Sequence, residues 1–410
     1  MGEIIGSVSH RIVDARPVNA YNGWALEGEK RGGHVRGARV LPVAWTGQED
    51  WADIVRDKKG VLPRHRIVVY GYKKDDALEV AERFKQAGYR DVSVYQRFVD
   101  EWSADESLPM ERLERYEKLV HPEWIRRMQS GGQPFVLCHC HYRNQTDYDI
   151  GHIPGAIALD TNELESTETW NRRSPEELER ALTRLGITAD TTVVVYGRFS
   201  SPRNTDPHPG SQAGHLGSIR CAVLLMYAGV KDVRVLNGSI AAWGQADHPL
   251  SKEEVKPEPV VDFGARIPVR PEIFIDTPRA KEVLSSPDEN LVSIRSREEF
   301  IGKVSGYNYI LNKGRIPGAV FGNCGTDAYH MENYRNVDLT TREYHEVREM
   351  WKGSGITGDK FNAFYCGTGW RASEAFLNAY LMGWDNIAVY DGGWYEWSND
   401  PANPIVTGQP

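Results

Sequence analysis

The sequence has few cysteines, no long apolar run and no run of basic residues. Five cysteines in 410 residues are too few, and too odd in number, for a disulfide scaffold, so a reducing compartment is the simpler expectation. The longest apolar run, residues 221–230, is about half of a membrane span, which excludes a transmembrane helix. A net charge of -8 without basic clusters argues against nucleic-acid or membrane partners.

The first 17 residues also lack an export signal, which needs a basic stretch, an apolar region and small residues at a cleavage site. As given, the chain is therefore expected to be cytoplasmic. The alternative is a periplasmic protein whose signal peptide has been removed, because such a chain would look the same.

An internal repeat organises the chain, with the same marks in the same order three times. A glycine-containing turn recurs at residues 33–38 (GHVRGA), 151–156 (GHIPGA) and 314–319 (GRIPGA). A short apolar strand follows each turn, at residues 67–71, 193–197 and 361–366. A helical segment and a second strand come next, the strands at residues 92–95, 233–236 and 387–390.

Short strands that alternate with amphipathic helices predict parallel βαβ units. The expected fold is α/β, with three tandem domains that each hold a mainly parallel β-sheet flanked by helices. Their predicted bounds are residues 1–118, 119–258 and 259–410. The middle copy carries an insertion within residues 200–217, which is rich in Ser, Pro and Gly and predicts a surface loop around His208.

The segment from residue 366 to residue 371, Cys-Gly-Thr-Gly-Trp-Arg, joins a predicted strand to a helix. Ligands of open α/β sheets bind at this carboxyl end of the strands. The two glycines let backbone N–H groups turn inward, and the helix adds the positive end of its dipole. Because this setting favours a thiolate, Cys366 is the predicted nucleophile, with Arg371 as a positive charge for an anionic substrate. A buried structural cysteine is the alternative.

These residues resemble the rhodanese family over nearly the whole chain. The resemblance is carried by the three turns, the Asp14-Ala-Arg16 pattern, the loop at residues 366–371 and the ending YDGGWYEW at residues 390–397. The CGTGWR loop and the three-domain layout are most similar to bacterial triple-rhodanese thiosulfate sulfurtransferases. The resemblance implies an enzyme whose loop cysteine takes a sulfane sulfur from thiosulfate, holds it as a persulfide and passes it to cyanide or a thiol, without a cofactor or metal.

The resemblance also implies a set of substrate-binding residues around Cys366: Gly367, Thr368, Gly369, Trp370 and Arg371. Arg295 matches the arginine of the family's Asp-x-Arg pattern, although Ser293 replaces the aspartate. It either lines the pocket or forms a structural ion pair. By analogy with two-domain relatives, Asp160 and Trp170 are expected to face the active site from the second copy.

The first two copies are expected to be catalytically silent, because Gly71 and Gly197 stand in the position of the cysteine. Neither can be a nucleophile, so these domains are expected to form scaffold and one wall of the cleft. The CHCH segment at residues 138–141 has the composition of a zinc site. In a strand, however, its cysteines and histidines would face opposite sides, which argues against a metal. Cys221 is expected in a helix core, and Cys324 outside the site.

Several functions remain open on these residues. A mercaptopyruvate sulfurtransferase would keep the persulfide and change the donor. A sulfur carrier would pass the sulfur to a partner protein with little turnover, and the bulk of Trp370 could narrow the pocket to such acceptors. A Cys-loop phosphatase fits less well, because its loop places one more residue between the cysteine and the arginine than separates Cys366 from Arg371.

Overall fold

A computed structural model describes residues 2–200 and 208–410 of the chain. Residues 1–117 and 118–410 form two compact units. The first unit contains one parallel sheet, and the second contains two, so the predicted α/β architecture is confirmed. The three domain bounds predicted above remain a proposal.

The first repeat places the parallel sheet β3-β1-β4-β5 between helices. Its strands are β1 (His10–Asp14), β2 (His34–Val35), β3 (Arg39–Val40), β4 (Arg66–Tyr70), β5 (Val92–Tyr95) and β6 (Met110–Glu111). Strands β2 and β6 form a separate antiparallel pair. The helices are α1 (Val18–Asn22), α2 (Trp51–Asp57) and α3 (Lys74–Gln86).

The second repeat has the sheet order β7-β11-β10-β8-β9, with parallel pairing throughout. Its strands are β7 (Leu119–Val120), β8 (Val136–His141), β9 (Ile157–Asp160), β10 (Thr192–Tyr196) and β11 (Asp232–Leu236). Its helices are α4 (Pro122–Ser130), α5 (Thr146–Asp149), α6 (Pro175–Arg184), α7 (Gly214–Ala228) and α8 (Ser239–Gln245). The insertion of this repeat lies partly in residues 201–207, outside the described residues.

The third repeat has the equivalent sheet order β12-β16-β15-β13-β14. Its strands are β12 (Phe274–Ile275), β13 (Glu289–Ser293), β14 (Val320–Phe321), β15 (Phe361–Tyr365) and β16 (Ile387–Tyr390). Its helices are α9 (Thr277–Leu284), α10 (Arg297–Phe300), α11 (Tyr344–Lys352), α12 (Trp370–Leu381) and α13 (Gly393–Asn399). Short helical turns supplement them at Gly2–Ile4, Val43–Gly47, Phe98–Trp102, Tyr116–Lys118, Thr161–Glu163, Pro209–Gln212, Pro271–Ile273 and Glu332–Tyr334.

The recurring turn has the same physical role in each repeat. Its first glycine, at residue 33, 151 or 314, has φ of 103°, 146° or 120°, a backbone conformation that favours glycine. The carbonyl of that glycine accepts a hydrogen bond from an arginine: Arg16 in the first repeat, Arg198 in the second and Arg295 in the third. The turn motif therefore marks a tertiary anchor of the sheet.

Helices α7 and α12 pack against each other and join the second and third repeats into one unit. Every residue of α7 is buried, including Cys221. This confirms Cys221 as a core residue. No helix within residues 2–200 and 208–410 has the length and apolarity to cross a bilayer.

The CHCH segment forms strand β8, as predicted. Cys140 interacts with Cys221 of α7, whereas the ring of His139 contacts Tyr148 and Tyr196. The cysteines and histidines therefore face opposite sides. All four are buried, because helices cover both faces of this sheet.

Candidate active site

The loop at residues 366–371 connects the end of β15 to the start of α12. Gly369 has a φ of +103° and caps the helix. Its backbone N–H donates to Cys366 Sγ at 3.2 Å. An N–H donor at a helix N-terminus stabilises negative charge on the sulfur. The Cys366 side chain is buried, at 1% exposed, yet the loop that carries it borders a cavity.

Helix α13 fixes the other side of this loop. The N–H of Trp394 donates to the Cys366 carbonyl at 2.8 Å, and the N–H of Tyr395 donates to the Gly367 carbonyl at 3.0 Å. Both donors belong to the sequence ending YDGGWYEW. The YDGGWYEW segment thus holds the loop in place through its backbone N–H groups. This contact gives a physical reason why the segment occurs together with the cysteine loop.

Arg371 is buried, and both of its terminal nitrogens have hydrogen-bond partners. It donates to both carboxylate oxygens of Glu299 at 2.9 Å and to the Tyr307 hydroxyl at 2.7 Å. Burial opposes the charge on Glu299, but Arg371 and Arg295 lower its pKa to about 2. Glu299 thus pairs with Arg371 and with Arg295 at once, and the action of Arg371 on an anionic substrate stays a prediction.

Cys324 lies closer to the site than the sequence suggested. It comes shortly after strand β14, and Arg371 Nη1 lies 3.2 Å from its Sγ. Burial raises the pKa of Cys324 to about 11, so its thiol stays protonated at neutral pH. Burial also raises the pKa values of Cys138 and Cys140. These three thiols are therefore poor nucleophiles.

A cavity borders the loop between the second and third repeats. Aromatic rings dominate its walls. Trp170 stacks on Tyr309 with ring centroids 4.6 Å apart, and His208 stacks on Tyr309 at 5.5 Å. Tyr142 meets Trp370 edge-on at 5.3 Å and accepts a hydrogen bond from Trp170 Nε1 at 3.0 Å. We call these five rings the aromatic cage.

Burial raises the pKa of Tyr307 and of Tyr309, so both phenols stay neutral at the cavity wall. Tyr309 shares a side-chain hydrogen bond with Thr368 of the loop. A neutral phenol and a threonine hydroxyl can each donate or accept a hydrogen bond. The cavity therefore combines ring faces for an apolar or cationic group with hydroxyls close to the loop.

Four of the residues predicted for the site line this cavity, namely Thr368, Trp370, Arg371 and Trp170. Cys366, Gly367 and Gly369 form the adjoining loop. Trp370 Nε1 donates to Glu165 Oε1 at 2.8 Å, so its ring is both a cavity wall and a contact between repeats. Trp170 has a φ of +59°, a strained conformation for a tryptophan.

Arg295 and Asp160 have other positions. Arg295 is buried, donates to Glu299 at 3.2 Å and anchors the Gly314 turn, which fits its alternative as a structural ion pair. Asp160 caps the turn at Thr161–Glu163 by accepting from the Asn162 N–H. Neither Arg295 nor Asp160 is among the described residues that line the cavity.

Sequence reasoning missed four aromatic residues of the cavity wall, Tyr142, Tyr307, Tyr309 and Tyr329. It also missed Glu299, which pairs with Arg371. His208, which was expected in a solvated loop, also lines the cavity. A weak signal existed in the Tyr-x-Tyr pair at residues 307–309, just ahead of the third turn. Tyr142 had no signal, because its role depends on contact with residues more than 200 positions away.

Comparisons with known proteins agree with this geometry. The rhodanese-like domain family matches residues 2–105, 121–246 and 277–400. Thiosulfate sulfurtransferase YnjE of Escherichia coli (strain K12) is 38% identical over 97% of this chain and 89% of its own length. Sulfur carrier protein TtuD of Thermus thermophilus is 30% identical over 64% of this chain and 87% of its own.

Solved structures of EanB match all of this chain and 97% of the EanB chain, with 54% identity and a TM-score of 0.97. In several of these structures EanB is bound to hercynine or to ergothioneine. One of them has ergothioneine covalently linked to a cysteine persulfide.

Proposed function

Because this chain belongs to the rhodanese family and is a sulfurtransferase that works through a cysteine persulfide, we propose that it transfers sulfur from a persulfide on Cys366 to hercynine, giving ergothioneine. The observation that carries this proposal is the aromatic cage beside the loop of Cys366. The similarity to EanB, which extends over the whole chain, supports the same acceptor.

The spacing of the site residues supports Cys366 as the sulfur carrier. EanB has been studied with replacements of one tyrosine, of cysteines and of one threonine. The spacing of the replaced tyrosine, two of the cysteines and the threonine equals that of Tyr307, Cys324, Cys366 and Thr368 here. The cysteine that bears the persulfide in EanB falls at the position of Cys366.

The aromatic cage suits the charge of hercynine, a histidine whose amino group is trimethylated. Quaternary ammonium groups bind to the faces of Trp and Tyr rings, at about 0.5 to 2 kcal/mol for each contact. Trp170 stacks on Tyr309 at 4.6 Å and Tyr142 meets Trp370 edge-on at 5.3 Å, and together these rings form an aromatic wall for the ammonium group. The imidazole would then reach toward Thr368 and Tyr307, next to Cys366.

The transfer balances without a cofactor. The persulfide of Cys366 gives its outer sulfur to the imidazole carbon between the two nitrogens. The S–S bond breaks, a C–S bond forms, and the proton of the C–H bond passes to the released thiolate. The sulfane sulfur is reduced and the carbon is oxidised. The Gly369 N–H, 3.2 Å from Cys366 Sγ, would stabilise the thiolate that leaves.

A second candidate keeps thiosulfate as donor and cyanide or a thiol as acceptor, and the similarity to YnjE favours it. A mercaptopyruvate sulfurtransferase differs from it only in the donor. The similarity to TtuD supports a sulfur carrier with a protein acceptor. All of these share the persulfide on Cys366, so they differ from our proposal in what delivers or receives the sulfur.

The test has two stages. Wild type and Cys366→Ser are first incubated with thiosulfate, 3-mercaptopyruvate or inorganic polysulfide, and intact mass spectrometry counts added sulfur. Hercynine or cyanide is then supplied, and ergothioneine or thiocyanate is quantified. We expect sulfur loading and ergothioneine with wild type and with Cys221→Ala, and neither with Cys366→Ser. Loading followed by thiocyanate alone would overturn the proposed acceptor, and loading of Cys366→Ser would overturn the site.

A further inference from the structure

Arg220 of helix α7 is a fully buried arginine that the second repeat directs toward the loop of the third. Its Nε donates to Glu165 Oε2 at 3.1 Å, and its Nη2 donates to Asp391 Oδ1 at 2.6 Å. Nη2 also donates to the Trp170 carbonyl at 3.0 Å. One guanidinium thus contacts the carboxylate that holds Trp370, the end of strand β16 and a wall of the aromatic cage.

The remaining nitrogen of Arg220 faces the catalytic loop. A Cβ built on Gly369 would lie 3.0 Å from Nη1, so the guanidinium rests against the Gly369 backbone. Among the described residues, Nη1 has no hydrogen-bond partner, although it is buried. Buried donors without a partner are rare in native proteins and call for an explanation. Gly369 is also the residue whose N–H donates to Cys366 Sγ.

Two charge clusters flank the loop. In the first, Arg371 and Arg295 both pair with Glu299, whose charge is secured by its low pKa. Arg220 faces Glu165, where burial raises the pKa to about 7 despite the arginine, and Asp391, which it shares with Arg172. Near neutral pH each cluster therefore has an excess of positive charge, because two arginines share Glu299 in the first and Arg220 and Arg172 share Asp391 in the second.

We propose that Arg220 is a positioning residue for the reaction: it holds the Gly369 amide against Cys366 and supplies positive potential that favours the thiolate and the persulfide anion. The inference rests on the proposed function only in placing the reactive sulfur on Cys366. It gives the second repeat, which lacks a nucleophile, a direct part in the chemistry of the third.

The test measures the pH profile of Cys366 alkylation by iodoacetamide, with the modified peptide identified by mass spectrometry. Each variant changes only the residue named and keeps the other charged and titratable groups that face the loop. These groups are Arg371, Glu299, Arg295, Tyr307, Tyr309, Cys324, Glu165, Asp391 and Arg172. In Arg220→Gln we expect the midpoint of the profile to rise by about one pH unit, since a nearby positive charge is lost. Arg220→Lys keeps the charge and should keep most of the wild-type midpoint.

Arg172→Gln is the matched comparison, because Arg172 also pairs with Asp391 at 2.7 Å but packs over Tyr227 and Phe274 instead of the loop. Its shift should be less than half of that in Arg220→Gln. Equal shifts in both, or an unshifted midpoint in folded Arg220→Gln, would overturn the inference. If the buried carboxylates prevent Arg220→Gln from folding, Arg220→Gln combined with Glu165→Gln removes both charges, and a raised midpoint is again expected.

This readout needs no sulfur acceptor. A protein that alkylates with the predicted shifts yet forms no ergothioneine would contradict the proposed acceptor and leave the role of Arg220 supported. A protein that forms ergothioneine, but whose variants show unshifted alkylation profiles, would support the proposed acceptor and contradict the role of Arg220.

Discussion

The second and third repeats share one sheet order, but they differ where the central strand meets its helix. In the third repeat, Cys366 lies in a loop wide enough to present a sulfur to its own backbone amides. In the second, a Cβ at Gly197 would overlap the carbonyl oxygen of Gly214 at the start of α7. The second repeat therefore lacks both the nucleophile and the space for one, and its helix α7 packs on α12.

The first repeat differs from both. A Cβ at Gly71 would meet its nearest neighbours at 3.5 to 3.7 Å, which is ordinary van der Waals contact. The first repeat therefore has room for a side chain at position 71. Helix α3 opens with Asp75 and Asp76, which disfavour an anion near its N-terminus.

The largest expected effect separates the third repeat from the first. Cys366→Ser should reduce sulfur transfer by at least about a thousandfold, because the nucleophile is lost. Adding Gly71→Cys to this variant should not restore transfer, since helix α3 carries Asp75 and Asp76 in its first turn, where α12 has Arg371. Turnover with the preferred donor is the measurement, and recovery in the double variant would show that the space alone is sufficient.

The next effect tests the closed loop of the second repeat. Gly197→Ala should lower the free energy of unfolding by about 3 kcal/mol, because the added methyl group overlaps backbone that cannot move away easily. Gly71→Ala should stay within about 1 kcal/mol of wild type. Urea denaturation followed by circular dichroism measures both. Similar losses in the two variants would contradict the difference in space.

A third prediction uses two buried carboxylates on either side of the loop. Burial raises the pKa of Glu165 to about 7 from an ordinary value of 4.5. Between these two pH values the native state keeps a proton on Glu165 that the unfolded chain has lost. The free energy of unfolding of the wild type therefore falls as pH rises through that window. Glu165→Gln has no carboxyl group to ionise and does not show this loss. Relative to wild type, the variant should gain about 2 kcal/mol between about pH 5 and pH 7.5.

Glu299→Gln provides the control with the opposite sign. The pKa of Glu299 is lowered to about 2, so its contribution to stability is present above its ordinary value of 4.5 and is lost as pH falls toward 2. The difference in free energy of unfolding between Glu299→Gln and wild type should therefore stay constant between about pH 5 and pH 7.5, where the difference for Glu165→Gln changes. Parallel pH trends in the two variants would contradict the assignment.

The smallest effect concerns the wall that the second repeat adds to the cavity. Trp170→Leu should raise the KM for hercynine about tenfold, because one ring face is lost from the aromatic cage. The loading of Cys366 by the donor should not change. Trp124→Leu, whose ring contacts Phe135 and Arg234 elsewhere in the same repeat, is the control and should leave the KM as in wild type. An unchanged KM in Trp170→Leu would contradict the cage as the acceptor site.

Much of the fold could be predicted from the sequence, because it depends on local patterns. The turns with their positive-φ glycines, the apolar strands and the loop at residues 366–371 are each encoded within a few consecutive residues. The strand prediction for the CHCH segment was confirmed for the same reason. The burial of both its faces was not predicted, since burial depends on which helices cover the sheet.

The sequence alone thus determined the three repeats, the α/β architecture and the position of the cysteine loop, because periodicity and turn chemistry act over short distances. Only the tertiary structure decided which charges pair beside that loop and which rings enclose the cavity. Arg371 was expected to act on a substrate, and the structure pairs it with Glu299. Tyr142, Trp170 and Arg220 reach the loop because α7 packs on α12, and contacts between residues so far apart leave no mark in local sequence.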